Sequence, residues 1–254
     1  MTENLTIFTK QYDINTLNIN AKKQLSLLGI LGIIQDISAE HAHHLGFGYE
    51  EMKRQGFFWV LIRQRLKMDE WPKWHETISV KTWTQPIKSF YAIREFELLV
   101  GDKKIGECST TWMILDSVKR TPKEMNHLEG SFANTRKDYR LDFKAGRIMM
   151  PEQAMQHQQD VDVKISDLDM NNHVNNIKYS QWALDTVPFE KHQEYAVAEH
   201  EINFLGEAFL NEKIALYSNL QSLKDEDDDV FFSGKNTDKG NPIFIIRLRV
   251  FKEQ

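Results

Sequence analysis

Residues 169–176, DMNNHVNN, crowd four asparagines, an aspartate and a histidine into eight positions, directly before an amphipathic stretch. Asn and Asp favour turns and helix N-caps, where their side chains replace missing backbone partners. One cap needs one such residue, and five stand here. A carboxylate, an amide and an imidazole beside a helix N-terminus could instead do hydrolytic chemistry. Asp169 could accept a proton, Asn171 could hold a substrate group and His173 could polarise a bond. Free helix N–H groups would then steady a developing oxyanion. A second carboxylate, Glu207, follows in FLGEAFLNE.

The elements that must position these groups show in the periodicity. Leu27, Ile30, Leu31, Ile34 and Ile37 recur at helical spacing within residues 24–44. Gly29 and Gly32 within that run suggest close packing against a neighbouring surface. Alternating β-rich runs follow at 59–68, 77–83, 90–100 and 105–115, with Gly101-Asp102 as a turn. The order then recurs. VDVKI (161–165) leads to a helix at about 175–186, closed by Pro188. AVAEHEINF, EKIALYSNL, DVFFSG and PIFIIRLRVF follow, the last two joined by a hairpin at NTDKGNP.

The two halves can be superposed in sequence, Ile14 on Ile165 and Leu17 on Leu168, and further on Leu66 on Ile202 and Ile78 on Ile214. In this alignment Asn18, Asn20, Lys22 and Trp71 stand opposite Asp169, Asn171, His173 and Glu207. The polar equipment is thus confined to the second half, which implies one active site. A strand, a long helix and a curved antiparallel sheet, repeated, is the plan of an α+β double hotdog. The expected division is 1–131, a linker at 132–158, and 159–254. The linker is charged with little Gly or Ser, so it should be docked.

The stretch 169–179 fits the pattern D-x-N-x-H-V-N-N-x-K-Y and resembles the signature of the acyl-acyl carrier protein thioesterases. FFWVLIRQRLKMDEWPKWHETISVKTW and STTWMILD resemble that family's first-half region. The resemblance implies a double hotdog in which Asp169, Asn171, His173 and Glu207 are catalytic and fatty acyl-acyl carrier protein is cut to free fatty acid. The first half would bind the acyl chain, on the face of Leu27, Ile30, Leu31 and Ile34. The chain departs from plant members, which have Glu-Cys downstream, in carrying Glu207-Ala208. A cysteine nucleophile at that site is therefore excluded. Glu207 and Asp169 would orient and deprotonate water, while Asn171 and His173 hold the thioester. An acyl-CoA thioesterase and a non-catalytic acyl-binding protein are the rival readings.

Composition narrows the rest. The 254 residues are 41% hydrophobic and 27% charged, with net charge −5, which advertises neither nucleic acid nor an anionic membrane. No apolar run approaches the ~20 residues of a membrane span. The first residues look unlike a signal or transit peptide, so a cytoplasmic setting is expected. A homodimer stands as the open alternative to a monomer. One cysteine, Cys108, excludes an intrachain disulfide and Cys-cluster metal sites. HAHH (41–44) lacks the further ligands of a metal site and reads as a helix end, and no metal is expected. KDEDDD (224–229) lacks the order of a calcium loop and reads as a charged hairpin connection. There is no nucleotide-binding glycine motif, hence no expected cofactor, and no G-x-S-x-G nucleophile elbow. Arg136, Lys137, Arg140, Lys144 and Arg147 in the linker could face an acidic carrier protein or simply aid solubility.

Overall fold

The computed structural model describes residues 6–87, 89–125, 134–151, 154–222 and 229–252. The chain divides into two compact units, Met1–Ala145 and Gly146–Gln254, a division that falls inside the stretch expected to be a linker.

The first unit contains β1 (Phe8–Asp13), α1 (Leu27–His44), a short α2 (Tyr49–Arg54), β2 (Phe57–Met68), β3 (Thr77–Thr84), β4 (Ala92–Val100) and β5 (Lys103–Asp116). Its strands lie in the order β1-β3-β4-β5-β2, every neighbour antiparallel. Helix α1 buries Leu27, Ile30, Leu31, Ile34, Ile37 and His41, the i, i+3, i+4 stripe that drives it onto the sheet. Each large side chain fully buried there contributes roughly 1.5–3 kcal/mol. Ser26 caps the helix: its Oγ accepts from Gly29 N (2.9 Å) and donates to Asn18 O (2.9 Å). A Cβ on Gly29 would sit 2.5 Å from Asn18 O, so this glycine is where α1 and the preceding loop meet backbone to backbone.

The second unit repeats the plan. It runs β6 (Gln156–Asp162), α3 (Asn176–Leu184), α4 (Phe189–Glu194), β7 (Tyr195–Phe204), β8 (Lys213–Ser218), β9 (Asp229–Asn236) and β10 (Pro242–Lys252). Its strand order, β6-β8-β9-β10-β7, is that of the first unit, again antiparallel throughout. Tyr179, Trp182 and Ala183 of α3, with Ile202, Leu216, Phe232, Phe244 and Ile246 of the sheet, are buried together in its core. Gly234 makes room there, since a Cβ on it would lie 2.2 Å from the Phe244 ring.

Five elements differ from the sequence expectation. Strand β6 begins at Gln156, inside the expected linker, and ends at Asp162; it is an edge strand whose HQQD segment carries no apolar alternation. β1 is likewise a half-solvated edge, with every second residue exposed. α2 and α4 are too short to show a period. Pro188 does not close α3, which ends at Leu184, but stands as the N-cap of α4, its carbonyl accepting from His192 N (3.1 Å).

The connecting stretch is tied down within each unit. Arg136 N donates to Thr84 O, and the Arg136 guanidinium lies over the rings of Trp83 (4.8 Å) and Tyr139 (4.5 Å). Past the division, Gly146 N donates to Glu201 Oε1 and Ile148 N to Asn203 Oδ1, both 2.9 Å. The acidic run 224–229 lies outside the described residues except for Asp229, which pairs with Arg247 and Arg249. Among the described residues, no helix is long and apolar enough to cross a membrane.

Candidate active site

The loop between β6 and α3 is a closed turn. Asp169 N donates to His173 O (2.8 Å), and Asp169 Oδ1 accepts from the amides of Asn171 (2.8 Å) and His173 (3.3 Å). Asn172 takes φ +59°, a left-handed conformation that asparagine tolerates. Asn175 caps α3 by accepting from Ile177 N (3.0 Å), and Asp167 accepts from Lys164 N (2.8 Å). Turn chemistry therefore explains Asp167, Asn172 and Asn175, and one oxygen of Asp169. The charge of Asp169 and the side chains of Asn171 and His173 are left over. Of the helix N–H groups expected to steady an oxyanion, that of Ile177 is taken by the cap.

A second loop, 205–212, runs beside this turn. Val174 N donates to Ala208 O (3.0 Å) and Val163 N to Glu212 O (2.9 Å). This brings Glu207 Oε1 to 3.4 Å from His173 Nδ1, with 31% and 20% of the two side chains exposed. Asp169, Asn171, His173 and Glu207 thus come together at one partly open place. Leu27, Ile30, Leu31 and Ile34 lie in the first unit, all buried.

The same frame is built twice, which provides an internal control. Asn20 N donates to Gln24 O (2.8 Å), and Asn20 Oδ1 accepts from Lys22 N (2.9 Å) and Gln24 N (3.2 Å). Lys23 has φ +59°, and Leu25 N donates to Pro72 O (2.8 Å). The first-unit partners of Asp169, Asn171, His173 and Glu207 are therefore Asn20, Lys22, Gln24 and Trp71. Sequence alignment placed the first three two residues too early, because a slip of two leaves an alternating apolar pattern intact. The asymmetry it suggested survives. Asn20 does for its turn what Asp169 does, so the fold of the turn does not require a carboxylate.

Several neighbours were not foreseen. The Phe209 ring meets His173 edge-on, centroids 5.2 Å apart. Glu212 Oε2 accepts from Phe209 N (3.0 Å), its Oε1 pairs with Lys239, and the Lys239 ammonium lies 5.7 Å from the Phe209 ring centre. Phe209 sits in the FLGEAFLNE segment already marked by Glu207, which was the available signal. Lys239 arrives from the β9–β10 hairpin and carried none. Burial raises the pKa of the Tyr179 phenol, with Glu207 and Asp169 adding in the same direction, so this hydroxyl stays protonated.

Two other polar features are buried. In the first unit, His41 Nδ1 lies 2.6 Å from Arg94 Nη1, which identifies it as the acceptor and the imidazole as neutral. Burial lowers the Arg94 pKa to about 10. The HAHH segment is thus a helix end with one histidine turned inward. In the second unit, Ser180 Oγ and His200 Nε2 are 2.9 Å apart, and burial lowers the His200 pKa to about 4. Cys108 is buried in the first unit, its thiol pKa pushed up by burial, with Gln64 donating to Sγ (3.8 Å). Among the described residues, no three His, Cys, Asp or Glu gather as a metal site would need.

Comparison with known proteins identifies the family and the fold. Residues 6–127 match the acyl-ACP thioesterase N-terminal domain and residues 151–245 the acyl-ACP thioesterase C-terminal domain. The chain is 25% identical to a chloroplastic dodecanoyl-[acyl-carrier-protein] hydrolase of Cinnamomum camphora, over 81% of this chain and 57% of that one. It is also 25% identical to a chloroplastic palmitoyl-acyl carrier protein thioesterase of Gossypium hirsutum, over 95% of this chain and 60% of that one. It therefore spans less than two thirds of the length of these relatives. Among solved structures, an acyl-ACP thioesterase from Bacteroides thetaiotaomicron superposes with a TM-score of 0.86 at 22% identity, covering 98% of this chain and 100% of that one. The 12:0-ACP thioesterase of Umbellularia californica gives 0.84 at 17%, covering 98% of each. These two likenesses show the fold, an α+β double hotdog. With both family domains matched in order along one polypeptide, this chain belongs to the acyl-ACP thioesterase family.

Proposed function

We propose that this chain hydrolyses the thioester of fatty acyl-acyl carrier protein, releasing free fatty acid and the carrier's thiol. The observation that carries the reading is the His173–Glu207 pair beside Asp169 and Asn171, built on a frame whose other copy carries Gln24, Trp71, Asn20 and Lys22 instead. Membership of the family, and the names of the two plant relatives, supply the substrate class.

In the proposed reaction, Glu207 and Asp169 orient a water molecule and take its proton as oxygen attacks the thioester carbonyl. Asn171 and His173 hold the carbonyl and the leaving sulfur, which departs with a proton as the C–S bond breaks. Position 208 is alanine and the thiol of Cys108 is buried in the first unit, so no sulfur nucleophile serves this site. The proposal sets the reaction in the cytoplasm. Its direct test compares hydrolysis of palmitoyl-acyl carrier protein and palmitoyl-CoA by the purified chain. A clearly higher kcat/KM on the carrier protein is expected; equal or inverted values would make it an acyl-CoA thioesterase, and turnover of neither would leave a binding protein.

We further assign the acyl chain to the buried α1 face of the first unit, where Leu27, Ile30, Leu31 and Ile34 are between 0% and 7% exposed. Gly29 does not open this space, since Asn18 and Leu25 already fill its side. Leu31→Phe and Ile34→Phe, each shown to remain folded, should shift the released fatty acids toward shorter chains. Each methylene left unburied forfeits ~0.8 kcal/mol, about fourfold in preference. An unchanged product distribution in both variants would remove this assignment.

A further inference from the structure

One row of side chains across the sheet differs in kind between the two units. In the first, Gln64 of β2, Thr110 of β5 and Arg94 of β4 stand opposite one another in register, and Thr84 of β3 continues the row. In the second, the row matched through Gln64 and His200 runs His200, Leu248 and Val230, and the last two are buried. The fold therefore accepts an aliphatic side chain at the place of Arg94. Nothing in the frame demands a buried arginine there.

Arg94 is 6% exposed. Its Nη1 lies 2.6 Å from His41 Nδ1 and donates to Thr82 Oγ1 (3.3 Å). Both acceptors are neutral. Among the described residues, Nε and Nη2 meet no acceptor and no carboxylate pairs with the guanidinium. Those two nitrogens form the edge that matches a carboxylate with parallel hydrogen bonds. Directly across the ladder, Thr84 Oγ1 is buried and has no partner among the described residues. Side chains that face each other in this way lie about 4.5–5.5 Å apart at Cβ, so the cation and the hydroxyl are neighbours. A charge and a hydroxyl buried without partners are both costly. Ser38 and His41 continue the buried α1 stripe of Leu27, Leu31 and Ile34 at the same alternating spacing of four and three. An acyl chain lying along that stripe leads to the guanidinium.

We propose that Arg94 and Thr84 form a recognition site for a carboxylate at the tail of the acyl chain, so that acyl groups ending in a second carboxyl are substrates of this protein. Nε and Nη2 would donate to its two oxygens, and the Thr84 hydroxyl would donate a third bond. The carboxylate brings the counter-charge that the buried guanidinium lacks. Val230 and Leu248, at the matched places of the second unit, have no donor to offer. This inference rests on the acyl chain lying along the α1 face.

The test measures kcat/KM of the full chain on palmitoyl-acyl carrier protein and on its analogue with a carboxyl group in place of the terminal methyl. The parent should cut the two within about threefold of each other, where a purely apolar site would reject the charge. Arg94→Met keeps the length of the side chain and removes the fork. It should lower kcat/KM on the carboxyl-tailed substrate by about thirtyfold or more, the scale of a lost charge-assisted pair, and on palmitoyl by less than about threefold. Arg94→Lys keeps the charge without the fork and should recover only part of that loss. Thr84→Val leaves both Arg94 bonds in place, so it serves even if Arg94→Met does not fold. It should cost the carboxyl-tailed substrate alone about fivefold. Rejection of that substrate by a parent that cuts palmitoyl would overturn the proposal and leave the hydrolase reading intact. Equal losses on both substrates from Arg94→Met, with no selective loss in Thr84→Val, would also overturn it, because the arginine would be serving the fold. No turnover of palmitoyl would instead remove the hydrolase reading. The product profiles of Leu31→Phe and Ile34→Phe report separately on the α1 assignment.

Discussion

His173→Ala should lower kcat by about a hundredfold or more, the scale of a lost acid–base or charge-handling group, while Gln24→Ala should leave it within a few-fold. A hundredfold corresponds to ~2.7 kcal/mol of transition-state stabilisation. The comparison is a fair one because the two residues hold the same place in the same hydrogen-bonded turn. In each, the backbone N–H and carbonyl make the closing contacts. Truncating His173 therefore removes the imidazole that faces Glu207 and Phe209 and leaves the turn's main-chain bonds in place. Asp169→Asn is the companion change: Asn20 shows that an amide closes this turn, so the variant should fold normally and lose activity. Steady-state rates with circular dichroism as a folding control decide the matter, and comparable losses from His173→Ala and Gln24→Ala would sink the one-site reading.

Acid should weaken the second unit by about 3 kcal/mol through one buried group, His200. Its imidazole is 1% exposed, bonded at Nε2 to Ser180, and burial holds its pKa at about 4 against an ordinary 6.5. Between those values the unfolded chain takes up a proton that the folded chain refuses, so stability falls as pH falls. The contribution is fully present above about pH 6.5 and is lost progressively down to about pH 4, with each pKa unit worth ~1.4 kcal/mol. His200→Gln is the control, because the matched position in the first unit is Gln64, buried and neutral. Urea unfolding at pH 7 and pH 4.5 should show the parent losing roughly 2–3 kcal/mol more than the variant. Equal losses would mean that His200 is protonated in the folded protein. Carboxylates shared by both proteins cancel in this difference.

Elements whose residues repeat at one spacing and face one core were legible from sequence. Ile30, Ile34 and Ile37 announced α1, and the alternation in β3 and β4 announced the sheet. The edge strand β1 was missed and β6 was placed too late, at 161–165, because half of each faces water and FTKQYD or HQQD carries little apolar signal. Arg94 ran against the pattern in another way. It points inward from β4 where periodicity would place an aliphatic side chain, and only the fold reveals that His41 and Thr82 bond its Nη1. At the site, Asp169, Asn171, His173 and Glu207 stood out because polar residues exceeded what a turn needs. Lys239 carried no such mark, because its place over the Phe209 ring joins residues 30 positions apart. Such a contact depends on how the β9–β10 hairpin meets the second loop, which no local spacing encodes.

The interchange of Asn20 and Asp169 in one turn bears on how such a chain can change over generations. Asparagine and aspartate are isosteric, and their codons differ by a single nucleotide. Because either side chain closes the turn with the same two amide bonds, a carboxylate can be installed or withdrawn here without the polypeptide having to find a new conformation. A lineage can therefore pass between a reactive and a silent copy of this loop in one mutational step, with selection on folding blind to the difference and selection on catalysis left to decide it.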